Sequence, residues 1–301
     1  MTNAIEIDSV TRHFGRVHAL DNVSFTVPEH SIVGLLGRNG AGKTTVMSIM
    51  AGQDRPTSGR VQVAGHDPFE HAPTLAQISY VRDNQRYPDD YRLHHVLRIA
   101  PDFAPNWSEE LAAELVDGFR IPAKTPIKKL SRGQLSSVAI VLGLASRAPV
   151  TLLDEPYLGL DVTARAFFHR VLLRDYTEHP RTVVFSTHLI DESASLFDRV
   201  VIMDSGHLVL NADSDDVSES AWVMSGTTDA VSQLTTAANV LSTSVVGGLM
   251  SATGSGVLDS GTRVLAEDLR VQITRASLQQ LVAAYGADDA ASDTINEVRR
   301  A

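Results

Sequence analysis

Polar and apolar positions change rhythm several times along the chain. AIEIDSV and VSFTV alternate as half-buried strands do, around a polar loop containing His13, Phe14 and Gly15. SIVGLL is a short continuous apolar run, the pattern of a strand buried on both faces. GRNGAGKTT follows, and then VMSIMAG, whose Val46, Ile49 and Met50 recur at helical spacing. RVQVAG is strand-like after the turn residues PTSG. Residues 89 to 149 read as mostly helical. Ser108 caps a helix whose Leu111, Leu115, Val116 and Phe119 share a face, Pro122 and Pro126 interrupt, and Leu135, Val138, Ala139, Leu142 and Ala145 form a second stripe. PVTLLDE, TVVFSTH and DRVVIMDSGHLV then read as buried strands or a hairpin, with helices between them.

Doubly buried strands alternating with helices predict an α/β fold around a mainly parallel sheet, with an antiparallel β part at the N-terminus. The polar, acidic NADSDDVSES marks a boundary. Residues 1–212 are expected to form one domain, with a helical subdomain over about 89–149. Residues 213–301 form a small α+β appendage, with strands at AWVM, VLSTSVV and LRVQIT and helices near 228–237 and 277–285.

Composition removes several functions. A formal net charge of −10 and only four lysines (Lys43, Lys124, Lys128 and Lys129) leave no basic stripe, so nucleic acid is not expected as a partner. Cysteine is absent, which excludes disulfides and thiolate chemistry. No apolar run approaches the roughly 20 residues that cross a bilayer, and the first residues lack a signal pattern, so the expected location is the cytoplasm.

The chemistry begins at Gly37. GRNGAGKTT (Gly37, Arg38, Asn39, Gly40, Ala41, Gly42, Lys43, Thr44, Thr45) holds G-x-x-x-x-G-K-T between a predicted strand and a predicted helix. The glycines let backbone N–H groups wrap phosphates, and the helix N-terminus favours an anion. Lys43 supplies a point charge to the β- and γ-phosphates, and the Thr44 hydroxyl suits magnesium. Asp154 and Glu155 end the apolar strand VTLL. Either they are a solvent-facing pair, or Asp154 holds Mg2+ and Glu155 polarises the attacking water. His188 ends VVFSTH, where a lone histidine is more often structural than catalytic. LSRGQ, from Leu130 to Gln134, reads locally as a serine N-cap.

Taken in order, these motifs resemble the nucleotide-binding subunits of ATP-binding cassette (ABC) transporters, over about residues 4 to 210, and of exporters in particular. The resemblance implies ATP and Mg2+ as cofactors and head-to-tail dimerisation with a second such subunit, the same chain or a related one. It also implies a separate transmembrane permease, and hence a peripheral place on the inner face of the membrane. In such a dimer Ser131, Gly133 and Gln134 would belong to a site for the partner's ATP. Arg132 stands where the family usually has glycine. Phe14 matches the aromatic that stacks on adenine, Asp161 the loop crossing the dimer interface, and His188 the histidine at the γ-phosphate. The glutamine that ligates magnesium and senses the permease has no clean match: Asp83 holds its place, and Gln85 lies two residues on. A soluble ABC-type ATPase acting on nucleic acid or ribosomes is the competing reading, disfavoured by a single cassette and the acidic balance.

Overall fold

A computed structural model describes residues 2–82, 85–236 and 238–287. The elements run β1 (Asn3–Phe14), β2 (Val17–Pro28), β3 (Ile32–Leu36), α1 (Lys43–Met50), β4 (Ser58–Val63), α2 (Ala72–Leu75), β5 (Ile78–Arg82), α3 (Leu93–Phe103), α4 (Glu109–Gly118), α5 (Arg132–Ala145), β6 (Val150–Asp154), α6 (Val162–Glu178), β7 (Thr182–Ser186), α7 (Ile190–Ser193), β8 (Arg199–Asp204) and β9 (His207–Asp213). They continue through α8 (Ser214–Ser220), β10 (Ala221–Thr227), α9 (Thr228–Thr235), β11 (Val240–Val246), β12 (Leu249–Ser255), α10 (Ser260–Asp268), β13 (Gln272–Arg275) and α11 (Leu278–Tyr285). The chain forms two compact units: residues 1–189 with 195–211, and residues 190–194 with 212–301.

The first unit is mixed α/β. Its main sheet has the order β5-β6-β7-β3-β8-β9, with parallel pairing from β5 through β8. Every residue of β3, β6 and β7 is buried, which is why these segments are mostly apolar and do not alternate. A second, antiparallel sheet has the order β2-β1-β4. Its inward residues Ile5, Val10, Leu20 and Val23 share one core with Val46, Met47 and Met50 of α1. Ser108 caps α4 by accepting from the Leu111 N–H at 3.2 Å.

Behind the sheet, a buried charge cluster ties three elements together. Asp175 of α6 pairs with Arg147 after α5 (2.7 Å) and with Arg181 before β7 (2.8 Å). Arg181 is 3% exposed and Asp175 2%, so each needs the other's charge. Burial pulls the Arg181 pKa below its ordinary value, and Asp175 acts in the opposite direction.

The second unit has the element order βαββαβ over β10 to β13, in an antiparallel sheet β11-β12-β10-β13. That is a split β-α-β arrangement. β12 and α10 carry no clear periodic pattern in the sequence. The inward positions of β12 are Met250, Ala252 and Gly254, small toward one end because the Trp222 ring fills the space; a Cβ at Gly254 would stand 2.2 Å from it. Helix α10 buries only Ala266, and Val264 and Leu265 stay exposed.

Replacing Asp175 with asparagine leaves two guanidinium groups without their counter-charge. The expected cost is about 3–5 kcal/mol, the penalty for breaking a buried pair. Thermal unfolding should therefore begin on the order of 10 °C earlier; a melting curve matching wild type would show that the cluster contributes little.

Candidate active site

The phosphate-loop motif lies where β3 passes into α1. Buried β3 delivers the chain to the sheet's C-terminal edge, the usual place for ligands in open α/β sheets. Gly42 caps α1 with a φ of 100°, and a Cβ there would meet the Ala19 carbonyl at 2.7 Å. The Lys43 side chain turns back over the loop. Its Nζ donates to the carbonyls of Gly37 (2.8 Å) and Arg38 (3.0 Å), and the residue is 6% exposed. Burial lowers the Lys43 pKa from its ordinary value, while the negative charges of Glu155 and then Asp154 push it back up. The loop and the two carboxylates are therefore neighbours. Thr44 is exposed in the first turn of α1, and Thr45 is half-buried.

Asp154 closes β6 at 4% exposure. Directly across the ladder is Ser186 of β7, whose hydroxyl donates to Asp154 Oδ1 at 2.6 Å. Tyr80 of β5 reaches Oδ2 at 3.4 Å, and its hydroxyl lies 3.4 Å from Ser48 of α1. Burial first, and then the Asp154 charge, push the Tyr80 pKa up to about 12, so this hydroxyl stays a donor. Glu155 adopts a left-handed φ of 49°, a strained geometry for a residue with a Cβ. Its N–H is held by the Ser186 carbonyl (3.2 Å) and hydroxyl (3.0 Å). Its Oε2 lies 2.6 Å from His188 Nδ1 and accepts from the His188 N–H at 3.3 Å. A carboxylate only accepts, so Nδ1 carries the proton in this pair.

Asp154 and the Thr44 hydroxyl are hard oxygen donors of the kind magnesium takes. Among the described residues, no group of three or more His, Cys, Asp or Glu side chains could hold a metal. Such a donor set fits an ion that completes its shell with substrate phosphates, which is how magnesium is usually held at nucleotide sites.

LSRGQ occupies a different place. Ser131 is the N-cap of α5: it accepts from the Gln134 N–H at 3.2 Å, and its own N–H donates to Gln134 Oε1 at 3.0 Å. The N-cap reading is therefore right about the local geometry. Gly133 packs on Gly159, and a Cβ on Gly133 would stand 2.2 Å from the Gly159 carbonyl oxygen. Ser136 Oγ donates to the Leu158 carbonyl at 2.6 Å. The LSRGQ segment is thus braced against the loop running from Glu155 to Asp161. Asp161 caps α6 through the Ala164 N–H at 2.8 Å. Tyr157, buried in that loop, bonds through its hydroxyl to His169 of α6.

Phe14 stands at the tip of the β1–β2 hairpin, with the Arg12 guanidinium over its ring. Asp83 lies outside the described residues. Gln85 lines a largely apolar cleft of about 520 Å³ with Tyr87, Tyr91, Phe103 and Trp107. Motif reading missed Ser186, Tyr80 and Tyr157. Of these only Ser186 carried a signal, through its place in the strand-ending Ser-Thr-His.

A glycine loop between a buried strand and a helix, with a buried lysine facing two carboxylates at the end of β6, two strands away across the sheet, defines a phosphate-loop nucleotide-binding site. The ABC transporter family model matches residues 20–158. An uncharacterised ABC transporter ATP-binding protein of Methanocaldococcus jannaschii is 30% identical over 222 residues, which cover 72% of this chain and 80% of that protein. The aliphatic sulfonates import ATP-binding protein SsuB of Mycobacterium avium is 33% identical over 68% of this chain and 79% of its own. The sulfate/thiosulfate import ATP-binding protein CysA of Vibrio cholerae is 31% identical, and the match covers 68% of this chain but only 57% of CysA. A solved ATP-binding subunit of an ABC transporter superposes with a TM-score of 0.64 at 24% identity, over 72% of this chain and 92% of that one. The chain belongs to the ABC transporter ATP-binding family, whose nucleotide-binding domains are ATPases.

Replacing Lys43 with alanine removes an ammonium from this pocket and leaves Asp154 and Glu155 without its charge. ATP affinity measured by calorimetry should fall at least about tenfold, in line with loss of a charge-assisted contact. An unaltered affinity would contradict the assignment of Lys43 to the phosphates.

Proposed function

We propose that this chain is the ATP-hydrolysing subunit that drives a membrane transporter, acting as a head-to-tail pair with a second copy or a related subunit. One observation carries the reading. Lys43, Asp154, Glu155 and His188 form one cluster, whereas Ser131 and Arg132 stand exposed at the start of α5, braced on Gly159. The hydrogen bonds of Ser131 run to Gln134 and Leu135. An exposed N-terminus on a 14-residue helix suits the ATP of a partner.

In this reading the N–H groups of Gly40 to Thr45 and the Lys43 ammonium hold the β- and γ-phosphates. Thr44 and Asp154, together with Asp83 or Gln85 in the place of the family's glutamine, would hold magnesium, which would supply charge neutralisation to the phosphoryl oxygens. Glu155 takes the proton of the attacking water, and the His188 imidazole orients Glu155 and approaches the γ-phosphate. Ser186 fixes the orientation of the Asp154 carboxylate that would take the metal. Phe14 takes the adenine, and Asp161 meets the partner subunit.

Among the described residues, no helix is long and apolar enough to cross a membrane, so a separate permease would supply the path and hold this subunit at the inner face of the membrane. The apolar cleft beside Gln85, with Phe103 exposed on its rim, is the surface offered to the permease. The expected exporter direction rests on the small size of the C-terminal unit alone. The relatives SsuB and CysA carry import names, and direction belongs to the permease. The net charge of −10 argues against nucleic acid as partner.

The test is to purify Glu155→Gln protein with ATP from detergent-solubilised membranes. The variant should bind ATP, turn over at least about a hundredfold more slowly, in keeping with loss of general-base catalysis, and retain a polytopic membrane protein in stoichiometric amount. Recovery of ribosomes or nucleic acid instead would replace transport with the soluble-ATPase reading. Ser131→Ala should depress hydrolysis by the assembled pair while monomer ATP affinity stays at the wild-type level, since its ligand belongs to the partner. A wild-type rate would refute the shared site.

A further inference from the structure

The two faces of the Phe14 ring are not equivalent. Phe14 closes β1 opposite Val17 and remains 48% exposed. One face is covered: the Arg12 guanidinium carbon stands 4.3 Å from the ring centroid. That guanidinium is itself clamped. Its Nε donates to Asp54 Oδ2 at 2.9 Å and its Nη2 to Oδ1 at 2.7 Å, a two-pronged fork that sets the plane of the group. Asp54 is anchored in turn, because its N–H donates to the Ser48 carbonyl of α1 at 3.3 Å. A continuous set of contacts therefore runs from the phosphate-loop helix to the ring.

The hairpin also approaches the phosphate loop directly. The Ala19 carbonyl occupies the space a Gly42 Cβ would need. Val17, the ladder partner of Phe14, lies two residues before Ala19. At about 3.3 Å per residue, the hairpin tip is on the order of 7 Å along the strand from the loop, a separation a nucleotide spans between phosphate and base.

The geometry points to Arg12 as a positioning residue for the nucleotide base, with guanidinium, ring and base stacked in three layers and Asp54 holding the first layer in plane. The inference rests on the reading that Phe14 receives the base. An exposed phenylalanine at a hairpin tip loses rotamer freedom when a flat ligand settles on it. With Arg12 already against one face, the ring is held before the ligand arrives, and only the other face is left to fill. The fork matters as much as the charge. A lysine at this position would keep the charge but lack the planar group that lies flat on the ring and meets both Asp54 oxygens.

The test compares two ligands on the full chain: ATP, and inorganic tripolyphosphate, which has phosphates but no base. Arg12→Met should weaken ATP about three- to fivefold, the range expected for a part-exposed cation–π contact, and leave tripolyphosphate unchanged. Asp54→Asn should weaken ATP in the same sense by less, and Arg12→Lys should restore part of the loss. Retained tripolyphosphate binding shows that each variant is folded; if Arg12→Met fails to fold, Asp54→Asn decides. Equal losses for both ligands would overturn the proposal, because Arg12 would then act on the phosphate loop through Asp54 and α1. So would wild-type ATP affinity in Arg12→Met alongside a clear loss in Phe14→Ala, an outcome that spares the role of Phe14. An unchanged ATP affinity in Phe14→Ala would remove the platform itself, and the inference with it.

Discussion

The buried ammonium of Lys43 is the charge on which the site depends. A cation at 6% exposure is expensive unless its surroundings compensate it, and here two kinds of group do so. The carbonyls of Gly37 and Arg38 turn inward to accept from Nζ, and the carboxylates of Glu155 and Asp154 act on it from the end of β6, two strands away. The first contact shapes the loop. In a trans peptide the C=O and the following N–H point opposite ways, so carbonyls drawn to Lys43 turn the N–H groups of Arg38 and Asn39 away from it. The lysine thus fixes the entry to the loop as well as lending it charge.

The carboxylates reach that lysine only because of sheet register. Parallel pairing sets Asp154 opposite Ser186, which puts the hydroxyl within 2.6 Å of Oδ1 and gives the Glu155 N–H two acceptors. A slip of one residue would turn each of these side chains to the other face. The left-handed backbone at Glu155 is sustained by the same Ser186, so one serine orients the metal-binding candidate and the catalytic candidate together.

The loop from Glu155 to Asp161 links this cluster to the start of α5. Its first residue bonds His188, its middle is pinned through Tyr157 to α6, and Gly159 lies against Gly133 with no room for a side chain on either. α5 is therefore in direct contact with the residues that follow Glu155, through Gly133 on Gly159 and Ser136 on Leu158. That is the kind of connection a subunit needs if closure on a partner is to govern hydrolysis.

Much of this site could be read along the chain, because its parts are local. Strand, glycine loop and helix lie within Ile32–Met50, and their φ demands and burial pattern appear directly in the residue types. The same holds for Asp154 and Glu155 at the end of an apolar run, and for Ser131 as a cap. Other parts were hidden, since the partners lie far apart in sequence: Tyr80 and Asp154, Glu155 and His188, Gly133 and Gly159, and Arg12 and Asp54, 42 residues apart. β12 and α10 carry little signal for a related reason, because Ala252, Gly254 and Ala266 among their inward positions are small residues whose burial depends on Trp222 or on neighbouring helices. Residue type dictates conformation over a few positions, through sterics and periodicity. Which distant side chains meet is settled by strand register and helix packing, and only the folded chain displays these.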